Sequence, residues 1–90
     1  MEKHEVINAI LANGYWLDKA DEYDQLIFKK ITNDCMTTIC LAGKSFYLLR
    51  AQIDEKEKPL RTIQEFTASI ENVEIDGRAC INHVYESIAL

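Results

Sequence analysis

The sequence predicts an α+β fold: an N-terminal helix, a three-stranded antiparallel meander, and two C-terminal helices packed on the sheet. Three observations carry this. Apolar residues recur at one-turn spacing toward both ends of the chain, which is the signature of amphipathic helices. The middle is rich in β-branched and aromatic residues, as strands are. Asn33-Asp34 and Gly43-Lys44 break that middle with connections short enough to force neighbouring strands antiparallel.

From Glu2 to Asn13, the residues Val6, Ile7, Ile10 and Leu11 mark one face of a helix, and Asn13-Gly14 supplies its stop, since glycine tolerates the left-handed conformation. Tyr15-Trp16-Leu17 then reads as a short strand or the buried start of a loop, and Asp18-Lys19-Ala20-Asp21-Glu22 as a polar surface loop. Residues 24–32, 35–42 and 45–53 are the three strands. The charged run 54–58 carries the chain off the sheet. Pro59 suits a first helical turn, where a missing amide hydrogen costs nothing. Leu60, Ile63, Phe66, Ile70 and Val73 form an apolar stripe that predicts a helix over about 60–72, and a capping box of Thr62 with Glu65 is an alternative start. After an Asp76-Gly77 turn, Ile81, Val84, Tyr85 and Ile88 predict a last helix, short enough that it must dock on something.

Alternation along the strands divides Leu26, Phe28 and Lys30 from Ile27, Lys29 and Ile31, then Thr37, Ile39 and Leu41 from Met36, Thr38 and Cys40, then Phe46, Leu48 and Arg50 from Tyr47, Leu49 and Ala51. Neither set is polar. A sheet with one solvated side would show one polar face. Two or three short helices cannot cover both, so one face is expected to be left for another copy of the chain or a partner protein.

With 48% hydrophobic and 28% charged residues, 1–90 reads as a single globular domain rather than a disordered chain. The charged opening Met1-Glu2-Lys3-His4-Glu5 and the short apolar stretch after it fit neither a signal peptide nor a membrane span, so a cytoplasmic location is expected. Cys35, Cys40 and Cys80 are an odd number at spacings that match no disulfide framework and are expected to be reduced. The net charge of −5 is segregated: residues 1–24 carry six acids and two bases, 25–61 four acids and seven bases, and 62–90 five acids and one base. Acidic ends repel a phosphate backbone, so nucleic-acid binding is disfavoured.

No chemical motif withstands inspection of its context. Ala42-Gly43-Lys44-Ser45 resembles the end of a phosphate-binding loop, but Thr38 stands where an upstream glycine is needed and a strand follows. Cys80 and His83 share a helix face, yet Cys35 and Cys40 point to opposite faces of a strand and cannot both join them on one metal ion. His4 and His83 have no nucleophile placed beside them. The acids Asp18, Asp21, Glu22 and Asp24 lack the turning glycine of a calcium loop. No cofactor, metal or enzymatic activity is therefore expected.

Helix one, Asn13-Gly14-Tyr15-Trp16, a meander and a helix together resemble the α-β-β-β-α layout of double-stranded-RNA-binding folds, including HicA-like toxins. The resemblance covers about two thirds of the chain as a layout and residues 13–16 as sequence. Where those toxins carry a glycine-serine-histidine stretch, this chain has Tyr23-Asp24-Gln25, so their ribonuclease chemistry does not carry over.

The expected function is that of a small noncatalytic protein-binding module, inhibitor or adaptor, of phage or mobile-element type, acting as a homodimer and through an acidic surface. Trp16, Asp18, Asp21, Glu22, Asp24, Glu71, Glu74 and Asp76 are the candidate contacts to a partner with a basic surface. Tyr15, Phe46 and Tyr47 are the other large side chains suited to an interface or the core. The alternative is an RNA- or nucleic-acid-binding module, with Lys29, Lys30, Lys44 and Arg50 on phosphates and Phe46 or Tyr47 stacking on bases.

Overall fold

Helix α1 (Lys3–Ala12) ends as its sequence requires. Gly14 takes φ 88°, the Tyr15 amide donates to the Ile10 carbonyl at 3.4 Å and the Gly14 amide to Leu11 at 3.3 Å, the two bonds that close a helix around a left-handed residue. The chain then enters a meander of β1 (Trp16–Ala20), β2 (Gln25–Thr32), β3 (Cys35–Ala42), β4 (Ser45–Ile53) and β5 (Pro59–Ser69), each pairing antiparallel with the next. A small hairpin of β6 (Glu74–Ile75) and β7 (Arg78–Ala79) leads into α2 (Cys80–Ala89). This computed structural model describes residues 3–71, 74–75 and 78–90, with side chains for 3–71 and 81–90.

The predicted three-stranded meander is thus the middle of a five-stranded sheet, and one C-terminal helix, not two, packs on it among the described residues. The helix expected over 60–72 is strand β5. Its apolar stripe does not form a buried line: Leu60 and Ile63 are 61% and 49% exposed. What β5 and the residue just after it turn toward the core instead is every second residue, Phe66 and Ala68 and then Ile70. Strand β4 offers it an open edge, and the run 54–58 that was to lead away from the sheet is a closed turn. There the Asp54 carboxylate accepts from the amides of Lys56 at 2.8 Å and Lys58 at 2.9 Å, while Glu57 takes φ 62°. Likewise the polar segment 18–22 is a loop only from Asp21 onward. Asp18, Lys19 and Ala20 extend β1 because β2 presents an unpaired edge, with Lys19 opposite Ile27 and Ala20 opposite Leu26. Five strands also depart from the α-β-β-β-α layout. The Asp76-Gly77 turn lies outside the described residues.

Both helices lie on one face of the sheet. Val6 and Ile10 from α1, and Ile81, Val84 and Ile88 from α2, join Phe28, Ile39, Leu41, Phe46 and Leu48 in one buried cluster. Burial of that apolar area is the main stabilising term. The register makes the covered face a set of cross-strand rows: Leu26–Leu41–Phe46–Ala68, then Phe28–Ile39–Leu48–Phe66, then Lys30–Thr37–Arg50–Gln64.

That last row is polar, and the end of α2 explains it. A helix leaves its final carbonyls without intrahelical donors. Arg50 donates from Nη2 to the Ser87 carbonyl at 3.4 Å, while its Nε and Nη1 donate to Thr37 Oγ1 at 3.0 Å and Gln64 Oε1 at 2.5 Å. The Tyr15 hydroxyl donates to the Ile88 carbonyl at 3.4 Å. A guanidinium at a helix C-terminus is also favoured by the helix dipole. Lys30 completes the group, its ammonium 5.1 Å from the centre of the Tyr15 ring.

Burial pushes the Tyr15 phenol above its ordinary value, against the nearby Arg50 guanidinium, which pulls it down. The folded chain therefore holds this proton more tightly than the unfolded chain does. The stability so contributed is complete below the unfolded value of about 10 and is lost as pH rises through the folded value. Tyr15→Phe, which has no proton to lose, is expected to unfold at higher alkaline pH than the natural chain in a circular-dichroism titration. Coincident alkaline midpoints would show that Tyr15 does not couple to folding.

Candidate interface on the open sheet face

The opposite face of the sheet is built from the alternate residues of the same strands. Its cross-strand rows are Lys19–Ile27–Cys40–Tyr47–Thr67, then Trp16–Lys29–Thr38–Leu49–Glu65, then Ile31–Met36–Ala51–Thr62. Ile27, Met36, Cys40, Tyr47 and Leu49 are half-buried by one another, and no described helix lies over them. Apolar side chains predominate on the three inner strands, interrupted by Lys29 and Thr38, while Lys19 and Glu65 stand on the edge strands.

The edges of this sheet are blunted while its face is not. Strand β1 is short and bulged between Leu17 and Lys19. Strand β5 opens with proline and breaks register with β4 twice, between Arg50 and Ala51 and between Gln52 and Ile53. Bulges, proline and charges at sheet edges discourage strand addition.

Among the predicted contact residues, Trp16 sits on this face at the β1 margin and is 44% exposed. The acids are mostly engaged within the chain. Asp18 pairs with Lys29 at 3.4 Å, Asp24 with Lys3 at 2.8 Å, and Glu71 with Lys44 at 2.5 Å. Asp21 accepts from the amides of Tyr23 at 2.9 Å and Gln25 at 3.0 Å, which shapes the β1–β2 turn. Glu22 alone of the turn acids keeps its carboxylate unengaged among the described residues. The paired Lys44 ammonium holds the Glu71 carboxyl below its usual range through a hydrogen bond and its charge. Glu74 is in β6, described by its backbone alone, and Asp76 lies outside the described residues. Among the described residues the acids form no continuous patch on the open face.

The basic residues of the nucleic-acid alternative are dispersed too. Lys29 lies on the open face, Lys30 and Arg50 on the helix-covered face, and Lys44 in the β3–β4 turn. Phe46 is fully buried against Phe66, with ring centres 5.8 Å apart, and is not available to stack on a base. Tyr47 does face outward, its hydroxyl donating to Glu65 at 3.0 Å, and this bond raises the tyrosine's affinity for its proton.

The thiols of Cys35 and Cys40 are free and half-buried, and burial with the adjacent Asp34 carboxylate pushes the Cys35 thiol up, away from the reactive thiolate. The Cys80 side chain is outside the described set. His83 stands 3.8 Å from Glu86 on α2, and among the described residues no cluster of ligating side chains is suited to a metal. The Gly43-Lys44 stretch is a hairpin turn with Gly43 at φ 59°.

Sequence reasoning missed Lys19, Glu65 and Ile63 as face or margin residues. Period two marks Glu65 with Thr67, whereas the bulge between Leu17 and Lys19 brings Lys19 to the face of Trp16 against that period and the β5 bulge sets Ile63, so neither is readable from alternation. Among the described residues no helix is long and apolar enough to cross a membrane. Comparison with family models, with curated proteins and with solved structures found no match to this chain.

Proposed function

We propose that this chain is a noncatalytic protein-binding module of the inhibitor or adaptor kind, and that its open sheet face is occupied by a second copy of itself. The observation that supports this is the apolar set Ile27, Met36, Cys40, Tyr47 and Leu49 on that face, over which no helix or strand lies among the described residues. Five strands about 4.8 Å apart and about eight residues long at about 3.3 Å each span roughly 600 Å². That area is the whole face, with Lys19, Lys29, Thr38, Thr67 and Glu65 included, and half-buried Ile27, Met36, Cys40, Tyr47 and Leu49 are its apolar part. Two such faces in contact bury roughly 1,200 Å² or more, within the range of stable specific interfaces.

Stacked sheets lie about 10 Å apart with interdigitated side chains, and half-buried Thr38, Cys40 and Met36 along β3 suit that approach. A homodimer of this form turns both helical layers outward. The β1–β2 turn with Glu22 then stays free for a partner with a basic surface. Expected from size-exclusion chromatography with light scattering at tens of micromolar is a particle of twice the chain mass. A particle of single-chain mass under those conditions would refute the dimer.

A further inference from the structure

Resting on the homodimer reading, we infer that the two copies stack about a two-fold axis running along β3, so that β1 and β2 of one copy cover β4 and β5 of the other. Face-to-face sheets admit two simple in-plane axes, and the placement of charge on this face separates them. In the row Trp16–Lys29–Thr38–Leu49–Glu65 the base lies toward β1 and the acid on β5. On the strands themselves β1 and β2 carry Lys19 and Lys29, partly offset by Asp18, with Asp21, Glu22 and Asp24 beyond them in the β1–β2 turn, whereas β5 presents Glu65.

An axis across the strands lays β1 over β1 and sets like margins against each other, which is unfavourable. An axis along β3 exchanges the margins and brings lysine toward glutamate at both ends of the interface. Exposed apolar residues divide in the same way. Trp16, 44% exposed, stands at the β1 margin and Ile63, 49% exposed, at the β5 bulge, so exchanging the margins lets each be covered by the other copy. The shallow angle at which aligned sheets stack keeps Lys29 within reach of the partner's Glu65.

The test uses Lys29→Glu and Glu65→Lys, each checked for folding by circular dichroism. With the axis along β3, each variant alone faces two like-charge contacts and is expected to dissociate about tenfold or more readily than the natural chain at low salt. Mixed one to one, the two variants are expected to form a heterodimer, because both contacts in it become attractive. The double variant is expected to regain self-association for the same reason. A natural chain that is monomeric refutes the dimer itself. A natural dimer whose single variants associate unchanged, or whose mixture stays monomeric, overturns the axis and leaves the dimer standing.

Discussion

Leu48→Ala is expected to lower the unfolding free energy by about 2–5 kcal/mol, whereas Leu49→Ala, one residue on, should cost the dissociated chain less than about 1 kcal/mol. The two side chains have the same chemistry and leave opposite faces of β4. Leu48 has no exposed surface and sits between Ile39 and Phe66 in the cross-strand row beneath the helices. Removing its branched end leaves a cavity that rigid neighbours on two strands cannot fill. Leu49 lies between Thr38 and Glu65 on the open face, where solvent or a rotamer change takes up the lost volume. A domain of this size has about 5–10 kcal/mol in total, so the first change removes a large share of it. Urea unfolding followed by circular dichroism, at a concentration low enough to separate copies, measures both. Equal losses at the two positions would mean that something buries the open face within the chain itself.

The contrast between those neighbours was legible in the sequence. Alternation assigned Phe46, Leu48 and Arg50 to one side and Tyr47, Leu49 and Ala51 to the other, and the turns at Asn33-Asp34 and Gly43-Lys44 set the pairing of β2, β3 and β4. Strand β5 was not legible, because Leu60, Ile63, Phe66 and Ile70 satisfy a helical period while the period-two set runs through Gln64 and Ala68, which carry a weak apolar signal. The free edge of β4 decided the matter, and that edge is a tertiary fact. The ion pairs of the acidic residues were not legible either. Lys3, Lys29 and Lys44, the partners of Asp24, Asp18 and Glu71, are remote from them in sequence and reach them only through the folded sheet. Arg50 likewise read as a basic strand residue, and its role in holding the last carbonyls of α2 depends on where that helix ends.

Leu49→Lys is expected to weaken self-association by at least about a hundredfold while leaving the fold of each copy intact. In the separated chain the new ammonium stands opposite Glu65 on β5, in water, where a cross-strand pair of opposite charge is tolerated or mildly favourable. In the proposed dimer it must enter the apolar part of the interface. Taking this ammonium out of water, with Glu65 already bonded to Tyr47 as its nearest acid, costs several kcal/mol, and the two-fold symmetry imposes that cost twice. With the axis along β3, β4 of one copy lies over β2 of the other, so the ammonium also approaches the partner's Lys29, which Asp18 only partly offsets. Sedimentation velocity over a concentration series reads the change directly, and the circular-dichroism spectrum of the dilute variant should match that of the natural chain. If the variant stays dimeric at low micromolar concentration with its spectrum unaltered, the copies do not meet through Leu49, and the apolar face of the sheet is not what joins them.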